Sequence, residues 1–264
     1  MATYKKRGYK PPKEKIQDVE ENNENEYVDG QSTTEEVFNT LDEGASRTET
    51  WVADNQKYIY IVLGIVVIAV LGYLGYEQWI QEPKKAEAAN EMAQAQNYMQ
   101  AAMSAGATQS DSLYNLALNG GEGKYGFLDI IDNYGGTPSA NIASYNAGFA
   151  YLYTGKYQEA IDYLEDFKSD DEILAPLATG GIGDAFMQLE QPEEALDYYV
   201  KAANMRSNSF TTPKFLLKAA ITALEVGNAE DALKYLNKLE NEYPESPEAG
   251  EAPVFIGQAQ AMNE

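Results

Sequence analysis

NIASYNAGFAYLYTGKYQEAIDYLEDF (residues 141–167), PLATGGIGDAFMQLEQPEEALDYYVKA (176–202) and PKFLLKAAITALEVGNAEDALKYLNKL (213–239) are three versions of one phrase. Each places a small residue in a first apolar segment, then a break, then an alanine in a second segment. The equivalent alanines are Ala160, Ala195 and Ala232, 35 and 37 residues apart, inside the matching words YQEAIDYL, PEEALDYY and AEDALKYL. Repetition at such a period, with helix-forming residues on both sides of each break, predicts paired helices stacked into a solenoid. Every pair leaves an apolar face that only its neighbour can cover, so the three phrases must fold together.

The phrase resembles the tetratricopeptide repeat, a helix–turn–helix unit. Gly148 and Gly183 fall where that repeat has the small residue that lets its two helices approach, and Ala220 stands there in the third copy. Tyr151 and Phe186 match the aromatic that follows, replaced by Ala223. Leu164, Tyr199 and Leu236 fill the large position four residues after the alanine, and Pro244 matches the closing proline that the first two copies lack. The repeats are expected over 141–247, with a capping helix over 248–264. Residues 81–140 are expected to form a helical stalk and a degenerate helix pair. In that region Pro83 opens a helical register to Gly106, and glycines at 120, 121 and 123 and at 135 and 136 break the chain.

Upstream, Tyr58–Tyr76 reads YIYIVLGIVVIAVLGYLGY, nineteen residues without a charge. At about 1.5 Å per residue this run approaches the ~30 Å hydrocarbon core of a bilayer. Trp51, Tyr58 and Tyr60 flank one end and Tyr73, Tyr76 and Trp79 the other, as aromatic belts do at membrane interfaces. The run lies too far from the N-terminus for a cleaved signal peptide and predicts a retained anchor, a helix over 46–80 that opens at a Ser46–Glu49 capping box. Before it, residues 1–45 carry a basic cluster (Lys5, Lys6, Arg7, Lys10, Lys13, Lys15) and then an acidic, Asn-rich stretch, a composition expected to stay disordered. Within that tail, Ser32 with Glu35 makes one further capping box ahead of Val37, Phe38 and Leu41. The fold class expected for the whole is all-α, a single transmembrane helix followed by a tetratricopeptide-repeat-like helical solenoid.

Composition narrows function. The chain has 264 residues with neither histidine nor cysteine, which excludes His/Cys zinc sites, disulfides and the His-dependent nucleophilic triads. A net charge of −23 argues against nucleic acid. The glycine-rich words LNGGEGKYG and ATGGIGDAF follow no strand and lack the Gly-Lys-Ser/Thr of a phosphate loop, so Gly180–Gly183 reads as close helix packing. Asp170, Asp171 and Glu172 read as a solvated turn. No enzyme activity, metal or cofactor is expected. Helical spacing on the first helices points to a concave, partner-binding face: Tyr145, Phe149, Leu152 and Tyr153; Asp184, Met187 and Gln188; Lys214, Leu217 and Ile221. Such a mixture of aromatic, Met and apolar side chains suits an extended or partly unfolded polypeptide, although Tyr and Phe at this spacing equally fit packing against the next helix.

The plan of tail, anchor, stalk and short solenoid, from WVADNQKYIYIVLGIVVIAVLGYLGYEQW (51–79) through the repeats, is similar to the YfgM-like ancillary subunits of the bacterial Sec translocon. The tail here is longer than in the typical member. That resemblance implies a non-enzymatic inner-membrane protein whose solenoid meets the Sec channel, periplasmic folding factors and unfolded client polypeptides. Positive charges near the span tie, Arg47 and Lys57 against Lys84 and Lys85. The distal basic cluster at 5–15 favours a cytoplasmic N-terminus and a periplasmic C-terminal domain. A scaffold for another envelope complex and a cytoplasm-facing adaptor are the alternatives.

Overall fold

A computed structural model describes residues 33–263, and the side chains of these except 33–47, 107 and 108. The expected disordered tail thus lies outside the described residues up to 32. From Thr33 the chain is helical. Helix α1 (Thr33–Tyr76) runs through Ser46, so the Ser46–Glu49 box lies in helix interior and not at a helix start. The reason is plain in the sequence, because no proline interrupts 33–76 and isolated glycines, Gly44 among them, do not stop a helix. Along Tyr58–Tyr76 the large apolar side chains other than Ile59 are exposed, and the helix is long and apolar enough to cross a membrane.

Contact density divides the chain into two compact units, Met1–Ile68 and Ala69–Glu264. In the second, the end of α1 leads into a π-turn, Glu77–Gln81, and then α2 (Glu82–Ser104). Backbone angles stay helical on both sides of the π-turn, at Tyr76 and at Glu82. Pro83 explains the widening, because it has no N–H to donate and its ring crowds the carbonyl of Trp79 four residues earlier. Residues 82–104 are not a free stalk. Ala88, Met92, Ala95, Met99 and Ala102 repeat at helical spacing and are buried, packing α2 against α3 (Ala107–Asn119), α4 (Phe127–Tyr134) and α5 (Pro138–Tyr153). A stripe of alanine and methionine lets the helices approach closely and fills what gaps remain.

The three phrases are α5 with α6 (Tyr157–Asp166), α7 (Leu174–Gln188) with α8 (Pro192–Met205), and α9 (Thr211–Glu225) with α10 (Ala229–Glu242). A 3₁₀ turn, Pro247–Gly250, and α11 (Ala252–Met262) close the stack. Each repeat turns the same way. Lys156 N donates to Tyr151 O at 2.9 Å, Gln191 N to Phe186 O at 3.0 Å and Asn228 N to Ala223 O at 2.7 Å. One residue in each turn is left-handed: Gly155 (φ 76°), Glu190 (φ 57°) and Gly227 (φ 79°). Glu190 pays a steric penalty its two glycine counterparts avoid, so Glu190→Gly is expected to stabilise the domain by about 1 kcal/mol. A raised urea midpoint by circular dichroism checks this; an unchanged midpoint refutes it.

Close approach within a repeat depends on the small residue. A Cβ on Gly148 would lie 2.5 Å from Leu164 Cγ, and one on Gly183 would lie 2.7 Å from Tyr199 Cε1. Leu164, Tyr199 and Leu236 are all buried, as the large position of the repeat requires. Local caps fix the entries. Thr137 Oγ1 accepts from Ala140 N, and Asn228 Oδ1 from Asp231 N. Asp171 Oδ1 accepts from Ile173 N and Leu174 N at 2.8 Å each, which holds its carboxyl below the ordinary range. The acidic turn therefore starts α7.

Candidate partner-binding groove

The first helices of the repeats touch in series, α5 with α7, α7 with α9 and α9 with α11. The second helices stand farther apart, and long side chains bridge them, Tyr198 of α8 to Glu165 of α6 and Lys238 of α10 to Asn204 of α8. A stack held closer along its first helices curves toward them, so these helices form the concave side. There the structure opens a groove of about 560 Å³ lined by Leu152, Tyr153, Tyr157, Asp184, Met187, Gln188, Tyr199 and Lys218.

Asp184 organises the groove. Its Oδ1 accepts from the Tyr199 hydroxyl at 2.6 Å and from the Lys218 ammonium of the next repeat. Lys218 Nζ lies 5.3 Å from the centroid of the Tyr199 ring. Both charged side chains are about one-third exposed, so the pair fixes α7 against α9 more than it adds stability. Alongside, the Tyr157 hydroxyl donates to Gln188 Oε1 at 3.2 Å, and Thr222 Oγ1 points at Met187 Sδ, 3.8 Å away. Tyr153 is 53% exposed, and its ring stacks on Tyr114 of α3 with centroids 5.3 Å apart. Burial pushes the Tyr199 hydroxyl far above its ordinary pKa, with Asp184 adding to the shift, and the same two causes raise Tyr153. These hydroxyls stay neutral donors throughout the physiological range. Flat aromatic faces, a thioether, a side-chain amide and neutral hydroxyls together suit an extended polypeptide, whose backbone needs hydrogen-bond partners beside apolar contact.

Of the ten residues singled out by spacing, the structure brings five into this groove: Leu152, Tyr153, Asp184, Met187 and Gln188. Lys214 and Ile221 are exposed on α9 outside the lining. Leu217 is 7% exposed and belongs to the core. Tyr145 and Phe149 pack inward. Tyr145 meets Phe149 at 4.8 Å and Phe167 at 5.1 Å between centroids, and the Phe149 ring covers Gly181, 3.0 Å from where a Cβ would be. Spacing alone missed Tyr157, Tyr199 and Lys218. The signal for Lys218 was present, since it sits one turn after Lys214 and three residues before Ile221. The repeat pattern places Tyr199 in the packing, and it does both, its ring buried and its hydroxyl in the groove.

A second hollow of about 770 Å³ lies on the opposite face of α7, with Ala175, Ala178, Thr179 and Ile182 in its wall. Several of its polar side chains are engaged within the fold: Thr179 Oγ1 donates to Ala175 O, and the Tyr198 hydroxyl donates to Glu165 Oε1 at 2.8 Å.

Paired helices with a small-residue contact, the shared left-handed turn and a concave groove on the first helices define a helical-repeat interaction protein. The tetratricopeptide-repeat family model matches residues 143–171 and 215–246, the first and third of the three repeats. Among solved structures, the chain is similar to nearly identical TPR-like repeats of a Podospora anserina protein described as a kinesin light chain. That likeness covers 68% of this chain and 87% of the other, at 15% identity and a TM-score of 0.49. No curated protein matches the sequence.

Proposed function

We propose that this chain is a membrane-anchored, non-enzymatic protein-interaction module that works beside the Sec translocon, its groove receiving secreted or envelope polypeptides and periplasmic folding factors. The observation that carries the interaction role is the groove around Tyr153 and Asp184, built by tetratricopeptide repeats, which bind protein partners generally. Support for the anchor comes from the exposed apolar run of Tyr58–Tyr76 with aromatics at both ends. On this reading the N-terminus with its basic cluster is cytoplasmic and the repeats lie in the periplasm of a bacterial inner membrane.

Co-purification of the translocon channel with the full chain in mild detergent tests the association, and its reproducible absence removes it. Protease digestion of the repeats in intact spheroplasts supports the orientation, whereas protection until lysis makes the domain a cytoplasmic adaptor. Groove binding has its own test. Tyr153→Ala with Met187→Ala is expected to weaken an unfolded reporter peptide by roughly tenfold to a hundredfold, the range of one or two interface anchors. Fluorescence anisotropy of the labelled peptide measures it, with circular dichroism confirming the fold. Unchanged affinity in a folded double variant places the partner site elsewhere.

A further inference from the structure

Charge in the repeats is divided between the two sets of helices. The first helices, α5, α7 and α9, together carry two acidic and two basic side chains, and α5 has none at all. The second helices, α6, α8 and α10, carry eleven acidic and three basic ones. The groove thus opens on the helices with the least charge, although the chain as a whole is strongly acidic. A surface depleted of charge, and holding Tyr and Met instead, has the composition of the centre of a protein interface.

Two charged side chains line the groove, Asp184 and Lys218, and each is spent on the other. The Tyr199 hydroxyl gives the same carboxylate oxygen a second donor, and the Lys218 ammonium lies over the Tyr199 ring. Lys214 and Glu225, the other charges of α9, lie outside the lining. What the groove still offers a ligand is uncharged: Leu152, the Tyr153 ring, the Met187 thioether and the Gln188 amide, whose oxygen already accepts from Tyr157. A charged residue of a partner would lose water there and meet no free counter-charge unless it broke the pair. We propose that the groove takes uncharged stretches of an extended polypeptide, and that the Asp184–Lys218 pair is the charge filter that keeps acidic and basic stretches out. The inference rests on the groove reading above and deepens it by naming the chemistry of the segment bound.

Three labelled, end-capped peptides test the filter against the full chain in detergent, read by fluorescence anisotropy. They share leucines and tyrosines at the flanks and differ in two central residues, both Gln, both Glu or both Lys. The parent is expected to bind the Gln peptide at least about tenfold more tightly than either charged one. Asp184→Asn keeps an oxygen for the Tyr199 hydroxyl and frees Lys218, so the Glu peptide should gain about fivefold or more relative to the Gln peptide. Lys218→Met keeps an apolar stem beside the Tyr199 ring and frees Asp184, and the gain should pass to the Lys peptide. A pair with a structural role alone would weaken all three alike. If the parent binds the three peptides equally, or either variant shifts them in parallel, the filter is overturned while the groove stands. If no peptide binds, or Tyr153→Ala with Met187→Ala leaves the Gln peptide unaffected, the groove reading fails and the filter falls with it.

Discussion

Gly180→Leu is expected to lower the stability of the repeat domain by at least about 3 kcal/mol, and it is among the most damaging single changes the fold offers. Helix α7 is pinned on three sides by neighbours that use its missing side chains. A Cβ at Gly180 would lie 1.9 Å from Phe215 Cε1 of the next repeat, at Gly181 3.0 Å from Phe149 Cζ of the previous one, and at Gly183 2.7 Å from Tyr199 Cε1 of its own. Phe215 is 1% exposed and cannot swing into solvent. An isobutyl group at 180 must therefore part α7 from α9, which opens the core around Phe215 and strains the Asp184–Lys218 pair. For a domain of this size the loss corresponds to about 6–12 °C in thermal midpoint. Gly257→Ala is the control: that glycine lies inside α11 with nothing within 4 Å of its would-be Cβ, so alanine should stabilise by roughly 0.5–1 kcal/mol. Thermal melts of the full chain in detergent, followed at 222 nm, separate the cases. If Gly180→Leu melts with the parent, the close contact with Phe215 does not hold α7 and α9 together.

This triple contact also shows what the sequence could and could not convey. The glycine run at 180–183 is legible as a packing signal because it follows no strand and recurs at the small position of the repeat. Which glycine meets which ring is not legible, because Phe149 and Phe215 come from neighbouring repeats and their reach depends on the angle between helix pairs. The same gap explains why five of the ten residues chosen by spacing line the groove. Spacing along one helix finds a face, and Tyr153, Asp184 and Gln188 lie on the part of it that stays open. It cannot tell how much of that face the next helix covers, and so it put Phe149 and Leu217 on the surface. Helix boundaries failed for a local reason. The Ser46–Glu49 box has the right residues for a start signal, but a capping box starts a helix only where the preceding residues leave helical geometry, and 33–45 do not. Pro83 likewise reads as a beginning, whereas the helix absorbs it by widening one turn.

The tyrosines give the second large effect, through pH. Twenty tyrosines occur in the chain, and burial raises the hydroxyl pKa of several in the repeats above the ordinary value near 10. Tyr145 is pushed up to about 12 by burial, with Tyr153 and Asp171 adding to it. Tyr198 is raised to about 12 by burial and by its bond to Glu165. Tyr199, its ring buried and its hydroxyl on Asp184, goes higher still. A group whose folded pKa is raised keeps its full contribution to stability below the unfolded pKa and loses it as pH climbs toward the folded one. Unfolding at alkaline pH therefore releases a proton from each such tyrosine, and stability falls by about 1.4 kcal/mol per pH unit for each. Tyr145 and Tyr199 together remove at most about 3 kcal/mol per unit between pH 10 and about 12, less any solvent screening, which reaches the lower end of a typical stability of about 5–15 kcal/mol, with Tyr198 adding a smaller, solvent-screened share. The domain should unfold cooperatively in base, with tyrosinate absorbance at 295 nm rising in the same step as helix is lost. Tyr199→Phe tells this mechanism from a general loss of lysine charge. Without the hydroxyl the domain is less stable at pH 7, by roughly the 1.5–3 kcal/mol of a hydrogen bond to a charged group. Its stability must also decline less steeply between pH 10 and 12, so the two stability curves converge as pH rises. Parallel curves would mean that Tyr199 already ionises in the folded domain and that the buried hydroxyl bond to Asp184 is not what the alkaline limb reports.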